Sequence, residues 1–349
     1  MRIRFARSSL GLEIADHAVK LVRLVKDRKQ SFRIKTQHVV PMPEQAIVDG
    51  KIMQPDVVAG KLVELAKKAN ATGKRVQLLV PGSVVMVRYL KLPDLPMKKL
   101  GKVLQFELAD NIRLPFDDPQ YDFVKLPGTS NAATSAPEDG VPMCDILLAA
   151  ASKAIIRQYA DLTEQAGMKP AALEIKGLAL YRLLRHRGIR SDHGALLAVD
   201  MSPASAELCI YKSGGLRMSR NVSLETSADP APGRGGFGAS GASDALAQVA
   251  AAGRIDPLET LYDNLAQEID RFVAFYRYTL NQRDDVIAEV LLCGDMEQPE
   301  AAAESLRERL SYSLRLLGEE GELPAKRGSY SLSPQTCVAV GLALRGLGL

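Results

Sequence analysis

The chain has 349 residues, 46% of them hydrophobic and 25% charged, enough to bury a sizeable core and better suited to two domains than to one. Its 45 basic and 41 acidic residues are interleaved and leave a net charge of +4, the balance of a solvated surface. With no Trp and 5% aromatic residues it offers no base-stacking platform, so a nucleic-acid partner is excluded.

The first residues, Met1-Arg2-Ile3-Arg4-Phe5-Ala6-Arg7, are basic with no apolar run behind them, and no segment approaches the ~18 apolar residues of a membrane span. The arginines are expected to be solvated, and the chain itself neither to cross nor to insert into a membrane. Leu12-Glu13-Ile14-Ala15-Asp16 then runs into Val19-Lys20-Leu21-Val22-Arg23-Leu24. This is an apolar strand bearing an acid, a short turn and an alternating second strand, a predicted β-hairpin.

After Val39-Val40-Pro41-Met42-Pro43 the composition changes, and a separate module is expected over 41–148. Its predicted elements are a helix over 54–70, strands over 76–80 and 84–92, a helix over 97–110 and a strand over 145–151. Val58, Leu62, Leu65 and Ala66 give the first helix an apolar side, and Lys67-Lys68 suit its C-terminus. The polar stretch 128–140 reads as an exposed loop. A helix opens at Ser152-Lys153 and closes at Gly167, and a second is expected over 173–187.

From Gly194 the opening pattern returns. Val199-Asp200-Met201-Ser202-Pro203 runs into Glu207-Leu208-Cys209-Ile210-Tyr211, again a strand with an acid, a turn and a second strand. The chain is therefore expected to be duplicated, with Glu13 and Asp200 at matching places facing one cleft. The glycine-rich stretch 226–244 lacks the strand, helix and Lys-Ser or Lys-Thr of a phosphate loop and is expected to be a surface loop. A long helix over 258–280 carries Leu261, Leu265, Ile269, Phe272, Val273 and Tyr276 on its packing face, leaving Glu268 and Arg271 free to project or to pair with each other. A strand over 287–293, the turn Gly294-Asp295, a helix over 300–316 and an apolar helix over 335–347 complete the pattern. Cys144, Cys209, Cys293 and Cys337 lie in apolar stretches without metal-ligand or redox spacing and read as buried, reduced thiols. The histidines likewise form no metal set.

An ordered set of short motifs carries a family resemblance: Leu10-Gly11-Leu12-Glu13-Ile14, Ile47-Val48-Asp49-Gly50-Lys51-Ile52, Val80-Pro81-Gly82-Ser83, Leu90-Lys91-Leu92-Pro93, Leu114-Pro115-Phe116, Ala166-Gly167-Met168-Lys169-Pro170 and Val338-Ala339-Val340-Gly341-Leu342. Together they resemble the PilM family of type IV pilus assembly, FtsA-like members of the actin superfamily. The resemblance implies an α/β class: a duplicated actin-like (ribonuclease H-like) two-lobe fold with an inserted FtsA-like subdomain. The first lobe would comprise 1–40 and 149–193, the insert 41–148, and the second lobe 194–349. It further implies a cytoplasmic scaffold, peripheral at the inner face of the membrane, that binds the cytoplasmic tail of a PilN-like bitopic membrane protein. Contact with a pilus motor ATPase and self-association are open within that family.

The resemblance also brings ATP and Mg as cofactors, with Glu13, Asp16, Lys20, Asp200, Ser202, Glu268, Arg271, Gly294 and Asp295 at the cofactor-binding positions and neither catalytic nor metal-ligating residues assigned. The phosphate-binding turns depart from the family pattern. Where the family resembles Asp-Ile-Gly-Ser-Ser, this chain has Glu13-Ile14-Ala15-Asp16-His17, and Ala15 takes positive φ poorly. An Asp16 charge facing a phosphate at ~5 Å would oppose binding by roughly 3 kcal/mol, about a hundredfold. Pro203 removes a backbone donor from the second turn, and Gly294-Asp295 replaces a Gly-Gly pair. Weak or lost ATP binding is the expectation. The alternatives are an active ATP-binding FtsA-like filament protein or a small-molecule kinase of the same superfamily.

Overall fold

In the computed structural model the described residues are 8–26, 32–126, 142–190, 194–224, 257–279, 285–318 and 331–348. The loops expected over 128–140 and 226–244 lie outside them.

In the first lobe, β1 (Ser8–Ile14), β2 (Ala18–Lys26) and β3 (Phe32–Pro41) form an antiparallel meander. A small hairpin, β4 (Ile47–Val48) and β5 (Lys51–Ile52), leads into α1 (Pro55–Lys68), which starts on a proline at its first turn and ends in Lys67 and Lys68, as its sequence predicts. The chain then returns as β6 (Arg75–Val80), parallel to β1.

An excursion follows before the lobe is finished. β7 (Val85–Pro93), α2 (Met97–Asp110), β8 (Pro119–Lys125) and β9 (Met143–Ser152) build a three-stranded antiparallel sheet in the order β7-β9-β8. Leu100 and Leu104 of α2 close its core against Leu92, Ile146 and Leu148. α3 (Lys153–Gln165) leads back to β10 (Lys169–Ile175), parallel to β6, and α4 (Lys176–His186) follows directly. Gly167 ends α3 at φ +78°, the left-handed conformation a helix stop demands.

The second lobe repeats the scheme. β11 (Ala195–Ser202), β12 (Ser205–Lys212) and β13 (Gly215–Ser223) form the meander, α5 (Pro257–Thr279) precedes β14 (Ile287–Gly294), and α6 (Pro299–Arg309) precedes β15 (Leu314–Leu316). The strand orders β10-β6-β1-β2-β3 and β15-β14-β11-β12-β13 are the same when read by position, so the duplication expected from two hairpins extends to whole sheets.

α7 (Cys337–Gly346) is apolar on every side and buried along eight of its ten residues. Chain order would assign it to the second lobe, yet it packs on β1, β2 and β6 of the first, while α4 packs on β12 and β13 of the second. The two helices cross between the sheets at Gly341, where any side chain would overlap the Ala179 carbonyl, and Gly11 of β1 gives α7 the same clearance. One core cluster therefore holds residues of both lobes.

Four expectations need correction. The module predicted over 41–148 is too wide: β6 pairs with β1 and α1 packs on β2 and β3, so the inserted sheet runs only from Val85 to Ser152. The helix expected over 173–187 begins at Lys176, because 169–175 is strand β10. The helix expected over 300–316 stops at Arg309, and 314–316 form an edge strand. Finally, β2 and β12 are not half-exposed, since helices cover the faces that alternation assigned to water. The four cysteines are buried and unbridged, and burial pushes the Cys144 and Cys209 thiols up, as expected of inert thiols.

Candidate functional site

The two central strands carry their acids to the same place. Glu13 stands one residue before the end of β1 and is paired in register with Lys20 on β2; Asp200 stands two before the end of β11 and is paired with Glu207 on β12. All four are at most 5% exposed. Charges so deeply buried are tolerated only when paired.

The pairing runs between the lobes. The Lys20 ammonium donates to Asp295, which follows β14 in the second lobe, and its Nζ lies 3.6 Å from Glu13 Oε2. His17, in the β1–β2 turn, brings Nε2 to 2.7 Å from Asp295 Oδ2. Lys176, at the first position of α4, donates to Asp200 Oδ2 at 2.5 Å, and the Cys293 thiol donates to Asp200 Oδ1 at 3.4 Å. Burial pushes the Glu13 carboxyl up, with Asp200 and Asp295 adding to the rise against Lys20 and Lys176. For Lys20 and Lys176 burial works to lower the pKa, but the surrounding carboxylates outweigh it and both are raised. Burial would raise Asp295, yet His17 and Lys20 hold it below its ordinary value.

Two backbone donors of the cleft turns are occupied. Ala15 N–H closes its own turn on the Ala18 carbonyl at 2.9 Å, and Asp295 N–H donates to the Met201 carbonyl at 2.7 Å. Gly294 adopts φ +110° with its α-carbon against the Met201 backbone, where a side chain cannot fit. Phosphate turns work by presenting free N–H groups, and these two are spent on the protein. Among the described residues no group of three His, Cys, Asp or Glu is placed to hold a metal ion.

Of the nine residues nominated from sequence, Glu13, Lys20, Asp200 and Asp295 meet in this network. Asp16 has no described ion pair in it: its Oδ1 accepts the Gly50 N–H at 3.1 Å, from the β4–β5 hairpin. Ser202 sits at the mouth of the second turn, paired with Ser205. Glu268 and Arg271 bond each other at 2.6 Å on α5, with no described contact to the network. Lys176 and Glu207 were missed. The helix predicted over 173–187 hid the strand-to-helix junction that aims Lys176 into the cleft, and Glu207 looked like the outward residue of a half-buried strand.

A groove of about 590 Å³ lies apart from this network, between the insert and the first lobe. Its walls are β8 and β9 on one side and α3, β10 and the start of α4 on the other. Val124, Leu147, Ala149, Ile156, Leu173 and Leu178 make it apolar, and Lys153, Arg157 and Arg345 line it together with Asp122 and Glu174; Lys153 pairs with Asp118 and Arg345 with Glu174. Among the described residues β8 and β10, which both line the groove, are edge strands of their sheets, each without a strand partner on one side.

Two five-stranded lobes of one topology, helices crossed between them and acids from both central strands meeting in a single cleft define an actin-like protein with an insert in its first lobe. The family model described as type IV pilus assembly protein PilM matches residues 11–223. The chain belongs to that family. The solved structure described as the PilM-PilN type IV pilus biogenesis complex is similar over 99% of this chain and 99% of its own, at 21% identity and a TM-score of 0.72. The ethanolamine utilization protein EutJ from Carboxydothermus hydrogenoformans shares the architecture over 97% of this chain and 90% of its own, at 10% identity and a TM-score of 0.50. No helix among the described residues is long and apolar enough to cross a membrane.

Proposed function

We propose that this chain is a scaffold of the type IV pilus assembly platform that docks the N-terminal cytoplasmic tail of a PilN-like bitopic membrane protein in the groove between insert and first lobe. The groove carries the proposal. An extended peptide laid there can pair its backbone with an edge strand and set alternate apolar side chains against Ala149, Leu147 and Leu178, while Arg157 can take an acidic residue of the tail. Family membership supports a pilus role, and the similar solved structure is itself a complex with PilN. Recruitment through this partner would make the protein peripheral at the inner face of the membrane.

In the same reading, ATP and Mg bind weakly or not at all. The residues at the nucleotide positions do not fit the group well: the ammoniums that would meet phosphates are committed to Asp295 and Asp200, and the Ala15 and Asp295 amides bond the protein itself. A phosphate would first have to break buried ion pairs. An ATP-driven filament or a kinase is correspondingly disfavoured, and no step of the docking requires turnover.

Titration calorimetry with the synthetic tail of the PilN-like protein tests the proposal. The wild-type chain should bind it saturably. Ala149→Arg puts a charge into the apolar wall of the groove and should weaken binding about a hundredfold with the melting temperature kept. Wild-type affinity in that variant would remove the groove as the docking site.

A further inference from the structure

A second cavity, of about 580 Å³, opens between the lobes and is lined mainly by polar groups. Asp49, Ser83 and Arg88 contribute from the first lobe and its insert; Glu207, Arg220 and Asn221 contribute from β12 and β13. None of the nine residues nominated for nucleotide binding lines it, but Lys176 of the cleft network does.

Its charges are unmatched in a complementary way. Glu207 is 5% exposed, and its Oε1 accepts the Ser219 hydroxyl at 2.5 Å, but Oε2 has no hydrogen-bond partner. The first lobe closes directly on this carboxylate at Gly82, where any side chain would overlap Oε2. A buried carboxylate with acceptor capacity to spare is costly unless something supplies a donor. Arg88 and Arg220, both exposed, have no carboxylate partner among the described residues. Lys176 also lines the cavity with its ammonium held by Asp200 Oδ2, and the free Oε2 of Glu207 can accept from a neutral hydroxyl.

We propose that this cavity binds a phosphorylated polyol of sugar-phosphate size. Its hydroxyls donate to Glu207, and its phosphate is held at the mouth by Arg88 and Arg220, whose guanidiniums match phosphate geometry. The volume suits such a ligand. Because groups from both lobes line the cavity, the bound ligand ties the lobes together and raises the melting temperature. Its ligand-binding groups are not those of the tail-docking groove, although Val85 and Ile175 line both.

Calorimetry on the full chain with glucose 6-phosphate, fructose 6-phosphate and ribose 5-phosphate, each alone, tests the proposal, with glucose and inorganic phosphate as half-ligands. At least one sugar phosphate should saturate, with both half-ligands at least about tenfold weaker. Glu207→Gln and Arg220→Gln should each weaken binding about tenfold, and Mg-ATP should not compete. Arg220 is exposed, so its variant keeps the test valid should Glu207→Gln fail to fold. Saturation by none of the three sugar phosphates overturns the proposal. So does phosphate alone binding as tightly, unchanged affinity in both variants, or displacement by Mg-ATP.

Discussion

Lys176→Ala is expected to lower folding stability by about 3–5 kcal/mol, because it leaves the Asp200 carboxylate buried without its cation. Asp200 is 3% exposed, and the thiol of Cys293 is the only other described side chain that donates to it. A net stability of 5–15 kcal/mol is usual for a folded protein, so this is a large share of the whole. The double change Lys176→Met with Asp200→Leu removes both charges and keeps apolar bulk, and it should recover most of the loss. Urea unfolding of the wild type and the two variants measures the effect. A single-variant loss below about 1 kcal/mol would mean that the pair is solvated and that the network does not close the cleft.

Gly341→Ala should cost about 3 kcal/mol, the upper part of the range for overpacking. The single methyl added there overlaps the backbone of Ala179 at the crossing of α4 and α7, and backbone cannot swing aside as a flexible side chain can. Each helix packs on the sheet of the other lobe, so pushing them apart strains both lobes together. The expected result is one thermal transition shifted down as a unit. Two separated transitions, or an unchanged melting temperature, would show that the crossing does not couple the lobes. Gly346→Ala is a gentler comparison, because the group it meets first is the Ser9 side chain.

Much of the architecture was legible because both hairpins put an acid at the same point of an apolar strand, and that pattern survives in sequence. Leu12-Glu13-Ile14 and Val199-Asp200-Met201 lie in strands buried on both faces, so the lone carboxylate in each stands out. The edge strands were harder to see. β10 opens Lys169-Pro170-Ala171-Ala172, which has neither alternation nor β-branched residues, and β15 is three residues long; each is a strand because a parallel neighbour is already in place. The width of the insert was misjudged because α1 and β6 have ordinary amphipathic patterns, and only pairing with β1 assigns them to the first lobe.

The chemistry of the cleft was half legible. Glu13, Asp200 and Asp295 were identifiable as strand-end acids, but which cation answers each depends on contacts across 275 and 24 residues for the Lys20–Asp295 and Lys176–Asp200 pairs. Asp16 shows the limit most plainly. Local sequence placed its charge in the cleft turn but could not show the backbone amide 34 residues away that bonds it. The groove has no sequence signature, because its walls come from five elements that meet only in the fold.

Hydrogen exchange on the full chain, with and without saturating PilN-like tail, tests the docking account most directly. The account predicts slowed amide exchange along β8 and β10, the strands that border the groove, with the β1–β2 and β11–β12 turns unchanged. Protection confined to those turns, or none on either edge strand while the tail is bound, would contradict it.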